Sequence, residues 1–113
     1  MTLLCFSLTL LLRTQKNGTL VATCPTLPML AGGHDADSLV DQLVKILRSV
    51  VNRLEALPMD EAQEYLSSHG IECTRTTGTV EAVGFDEKRL RMMIKNWAAD
   101  EEETLTVQFP VAA

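Results

Sequence analysis

The stretch that decides the fold is DSLVDQLVKILRSVVNRLEALP, from Asp37 to Pro58. On a helical wheel, Leu39, Val40, Leu43, Val44, Ile46, Leu47, Val50, Val51, Leu54 and Leu57 share one arc of about 160°. Asp41, Gln42, Lys45, Arg48, Ser49, Asn52, Arg53 and Glu55 fill the remainder. Ser38 and Asp41 have the spacing of a capping box, which predicts a helix start at Ser38. Pro58 ends the helix. A stripe this wide needs a broad apolar partner such as a sheet face, and it leaves Val40, Val44 and Val51 at its margin as the expected contact of a homodimer.

Upstream of the helix the period changes from 3.6 to two. Phe6, Leu8, Leu10 and Leu12 fall on one face of an extended segment, and Cys5, Ser7, Thr9, Leu11 and Arg13 fall on the other. Lys16-Asn17-Gly18 supplies a turn, with Gly18 suited to positive φ. A three-residue loop places Leu20, Ala22 and Cys24 opposite Thr14, Leu12 and Leu10, which gathers the apolar residues of both strands on one face. Pro25 and Pro28 interrupt pairing, so Pro25 to Gly33 reads as an edge or irregular strand. At a sheet margin, Pro25, Leu27, Pro28, Met29 and Leu30 are the candidate partner-binding residues. Leu3 to Leu12 is too short to cross a bilayer as a helix. With no basic residue ahead of it and Arg13 behind, it reads as a strand rather than a secretory segment.

Downstream, Asp60 to Ser68 reads as a short helix stopped by Gly70, and Ile71 to Thr74 as a strand. Thr79 to Phe85 reads as another strand. Asp86 caps a third helix that runs to about Ala99 and buries Leu90, Met93, Ile94 and Trp97. The acidic run Glu101-Glu102-Glu103 would oppose the helix dipole, and Thr104 to Phe109 alternates as a final strand. The expected fold class is therefore α+β: an N-terminal hairpin or three-stranded sheet on one long amphipathic helix, with a further C-terminal helix and strand. At 113 residues there is room for one domain, divided into a hairpin–helix core (1–74) and a strand–helix–strand extension (75–113).

Charged residues are 22% of the chain and the net charge is −5, which disfavours binding nucleic acid by itself and fits docking on a basic partner. Three cysteines, Cys5, Cys24 and Cys73, cannot all pair within the chain. Their odd count and irregular spacing are those of a reducing, cytoplasmic compartment. The hairpin also holds Cys5 and Cys24 on the order of 16–20 Å apart, beyond disulfide reach.

No residue set completes a catalytic, cofactor or metal motif. His34, Asp35 and Asp37 precede the main helix without His-x3-His or Cys-x2-Cys spacing and read as a polar turn. His69 reads as part of a helix end. No nucleophile motif or phosphate-cradling loop is present, so an enzyme is disfavoured. Lys88, Arg91 and Lys95 follow helical spacing and form a candidate basic contact row.

The order of parts from Phe6 to Leu57 resembles the HicB-type antitoxin family. The shared features are a hairpin, a Pro-x-Leu-Pro element (Pro25-Thr26-Leu27-Pro28), a glycine turn, and a capped amphipathic helix opening Asp37-Ser38-Leu39-Val40-Asp41-Gln42-Leu43. The resemblance implies a partial ribonuclease-H-like fold without a nuclease's catalytic acids, which binds and masks a small basic RNA-cleaving toxin. Two departures are visible. Met29-Leu30 stands where that family commonly has Gly and often Cys, and residues 75–113 show no DNA-binding extension. The competing expectations are a small-ligand-binding protein or enzyme with a pocket between the sheet and the C-terminal helix, and a secreted domain that loses its first dozen residues.

Overall fold

A computed structural model describes residues 2–78, 85–97 and 102–111. The alternating N-terminal segment forms β1 (Thr2–Thr14), followed by β2 (Leu20–Thr23), β3 (Leu30–Gly33), α1 (Ala36–Glu55), α2 (Met59–Ser68), β4 (Cys73–Thr77), α3 (Glu87–Lys95) and β5 (Glu103–Val111). The fold is α+β, a five-stranded sheet whose described pairings are all antiparallel.

β1 is the hub. Its residues Leu4 to Leu12 pair with β5 along one edge without interruption, from Leu4 opposite Val111 to Leu12 opposite Glu103. Its other edge is shared: β2 pairs with Leu11–Thr14, and β4 with Thr2–Phe6. The hairpin register is the expected one, with Thr14 opposite Leu20 and Leu12 opposite Ala22, although pairing stops at Thr23, short of Cys24. The Gln15 amide donates to the Thr19 carbonyl at 2.8 Å and closes the three-residue loop, and Gly18 has φ of +87°.

The even-numbered side chains of β1 and the odd-numbered ones of β5 build the inner face. Leu4, Leu8, Leu10, Leu12, Phe109 and Val111 are fully enclosed there, with Phe6 stacked on Phe109 at 5.0 Å between ring centroids. α1 lies over this face and buries Leu39, Leu43, Leu47 and Leu54. One apolar cluster joins residues of β1, β2, α1, α2, α3 and β5, so the N-terminal and C-terminal parts share a core.

Two expectations need correction, and a third loses its support. α1 begins two residues before Ser38: Asp35 is the N-cap and accepts from the Ser38 amide at 2.8 Å. Asp35-x-x-Ser38 and Ser38-x-x-Asp41 both have cap spacing, and the earlier one prevails because Gly33 brings β3 directly against the first helical turn. A Cβ on Gly33 would lie 2.5 Å from the Leu39 amide nitrogen. The strand expected from Ile71 begins instead at Cys73, because the Ile71 amide is held by the Leu66 carbonyl at the end of α2. The apolar flank of α1 expected to meet a second subunit is buried within this chain. Val40, Val44 and Val51 are buried, at 0%, 9% and 7% exposure, on the flank against which α3 docks. The strand expected from Thr79 lies outside the described residues, apart from Phe85, whose ring meets Phe109.

Candidate protein-binding surface

α3 is antiparallel to α1 and tied to it by ions as well as by Leu90 and Ile94. Glu87 pairs with Arg48, Arg91 with Asp41 and Asp37, and Lys95 with Asp37. Two members of the basic row, Arg91 and Lys95, therefore face carboxylates of their own chain, while Lys88 has no such pair among the described residues. These pairs are exposed and individually weak, and α3 is held chiefly by its buried side chains.

The opposite flank of α1 is left partly open. There Ile46 and Val50 remain half-buried and meet the Pro25–Leu30 segment. Leu27 turns into the core, whereas Pro25 and Pro28 stay exposed. Leu27, Pro28 and Met29 face Ile46, Ser49, Val50, Arg53 and Tyr65 across a cleft of about 200 Å³. Its floor is apolar, and Arg53 at its rim forms no ion pair among the described residues. Leu30, 64% exposed, follows this segment at the start of β3, where it pairs with Thr23 on the sheet face opposite α1.

β3 ends the described sheet order on this side. The Gly32 amide is turned away from β2 and donates to Oε1 of Gln42, so α1 covers that part of the edge. Alternation then sends the amide and carbonyl of Leu30 outward as well, without such a cover. The expected site residues thus separate into a buried anchor (Leu27), a cleft wall (Pro28, Met29) and an exposed edge (Pro25, Leu30).

The sequence did not single out Ile46, Ser49, Val50, Arg53 and Tyr65. Ile46 and Val50 sit at the margin of the helical arc, and Ser49 and Arg53 adjoin them at helical spacing. That adjacency is the only signal they carry, because their cleft partner comes from another element.

The polar residues ahead of α1 act locally. The Ser38 amide and hydroxyl, bonded to Asp35, hold its carboxyl below the ordinary carboxylate range. His34 is exposed, 3.6 Å from that carboxylate. The His69 ring, in the tautomer that carries its proton on Nδ1, donates to the Tyr65 carbonyl 2.9 Å away at the end of α2. Cys5, Cys24 and Cys73 are unpaired thiols, and burial pushes the Cys73 thiol up. Among the described residues no group of three or more His, Cys, Asp or Glu is placed to hold a metal, and no helix is long and apolar enough to cross a membrane.

The chain matches no protein-family model, no curated protein and no solved structure.

Proposed function

We propose that this chain is a non-enzymatic protein-binding module, antitoxin-like in action, that binds and masks a small basic RNA-cleaving toxin. The observation that carries protein binding is an edge strand, β3, with exposed Leu30 on its outer face and the Ile46–Val50 cleft, walled by Pro28, on its α1 side. Such a surface offers apolar anchors together with unpaired backbone groups. Toxin as the partner class rests on the order of parts shared with HicB-type antitoxins, and it agrees with the net charge of −5. The homodimer expected from Val40, Val44 and Val51 no longer has these residues to support it.

The test is a calorimetric titration of the chain with a small basic RNA-cleaving toxin at two salt concentrations. A complex that weakens with salt and silences RNA cleavage is expected, because encounter is charge-assisted. Absence of a complex at both salt concentrations contradicts the reading. The cleft also favours a second reading, binding of a small apolar ligand carrying an anionic group for Arg53. Its position between the Pro element, α1 and α2 differs from the pocket expected beside the C-terminal helix.

A further inference from the structure

The interrupted edge of β1 carries an inference that does not depend on the antitoxin-like reading. β4 leaves β1 at Phe6 and β2 joins it only at Leu11, so Ser7 to Leu10 have no strand on that edge among the described residues. The ladder fixes which backbone groups point there. Gln15 bonds toward β2, and the unbroken register with β5 shows no bulge between Leu4 and Leu12. Odd-numbered residues of β1 therefore direct N–H and C=O toward the interrupted edge, and even-numbered ones toward β5. Pro110 agrees with this parity. It lies opposite Cys5, at a position whose missing N–H would face away from β1. The amides and carbonyls of Ser7 and Thr9 thus open into the gap with no described hydrogen-bond partner.

Both neighbouring strands are diverted from it. Continued in register, β2 would place Pro25 opposite Thr9, and proline has no N–H to give the Thr9 carbonyl. β4 extended backward would bring Glu72 opposite Ser7 and Gly70 opposite Thr9. The Gly70 and Ile71 amides are instead committed to the Ser67 and Leu66 carbonyls at the end of α2. What remains is a groove of about 700 Å³ over Cys5, Ser7 and Thr9, bounded by Thr26, Glu72, Thr74 and Gln108. Among the described residues Glu72 is the only charged one lining it, and it forms no ion pair with another of them.

We propose that this gap is a binding slot for a short extended peptide segment bearing a basic residue. The segment completes the sheet between β2 and β4, antiparallel to β1. The donor–acceptor sets of Ser7 and Thr9 repeat every two residues, at about 6.8 Å, which is the repeat of an extended chain. Alternate residues of the peptide exchange paired hydrogen bonds with Thr9 and Ser7, and its cation meets Glu72. The slot and the Pro25–Leu30 cleft share no lining residue.

The test pans the full chain with a phage-displayed random heptapeptide library, then synthesises the enriched sequences as capped peptides. They are expected to carry Lys or Arg and to protect the Ser7 and Thr9 amides from hydrogen exchange. N-methylation at two alternate backbone positions should weaken binding at least tenfold, while methylation at the residue between them should not. Glu72→Gln, an exposed change whose folding is checked by circular dichroism, should weaken binding by about tenfold. No enrichment overturns the proposal. So does protection confined to the cleft of Leu27 to Met29 and Ile46 to Arg53, or indifference to N-methylation.

Discussion

The two flanks of α1 carry similar aliphatic side chains but face different surroundings. On one flank Val40, Val44 and Val51 are buried, and α3 docks on that side with Arg48, Asp41 and Asp37 paired to it. On the other, Ile46 and Val50 stop half-buried against a proline-broken segment that cannot close over them. An apolar arc wider than the sheet needs is therefore not by itself a sign of a dimer. One flank is satisfied within the chain, and the other is left partly open, where the proposed partner would dock.

The centre of the arc sets the scale for comparing the flanks. Leu43→Ala or Leu47→Ala, each at a fully enclosed site, should cost ~2–5 kcal/mol in denaturant unfolding. Near-native midpoints for both would show that this face does not carry the core. The same truncation on the two flanks then separates them. Val44→Ala should approach the burial value of about 1.5–3 kcal/mol, whereas Val50→Ala should cost less than about 1 kcal/mol. Equal costs would remove the asymmetry.

Gly33→Ala tests how closely β3 meets the start of α1. The added methyl strikes backbone rather than a flexible side chain, so a loss of about 1–3 kcal/mol is expected by thermal unfolding. Arg91→Ala, which removes the exposed ion pairs of the closed flank, should cost no more than about 1 kcal/mol, and less in high salt. The smallest effect belongs to Asp35. Hydrogen bonds from Ser38 hold its carboxyl below the ordinary carboxylate range, so the cap's contribution is present above that range and fades as pH falls through the depressed value. An Asp35→Asn chain should lose this portion of the acid dependence, read from unfolding midpoints between about pH 5 and pH 2.

Local chemistry was legible wherever one segment determined its own geometry. The alternation from Phe6 to Leu12 and the Lys16-Asn17-Gly18 loop gave both the hairpin and its register, because a one-residue slip would expose the apolar face. Gly70 and Asp86 marked a helix end and a helix start for the same reason. Competition between two equally spaced caps hid the true start of α1, which contact with β3 decides. The packing of α3 on Val44 and the division of one β1 edge between β2 and β4 arise from segments far apart in sequence. No local period reports them. The edge character of Pro25 to Gly33 was legible from its prolines, while the cleft beside it required Ile46, Val50 and Tyr65 to be brought there by the fold.

The central claim is that the open flank of α1, together with the adjoining β3 edge that carries Leu30, is where a protein partner binds. Its most direct test compares Leu30→Asp with Val44→Ala in titrations against a small basic RNA-cleaving toxin, both chains being first confirmed as folded. Leu30→Asp should weaken the complex about tenfold or more without loss of thermal stability, because an exposed anchor contributes to binding and little to folding. Val44→Ala should show the reverse, lower stability with near-native affinity. Unchanged affinity for Leu30→Asp, or a larger affinity loss for Val44→Ala, would contradict the account.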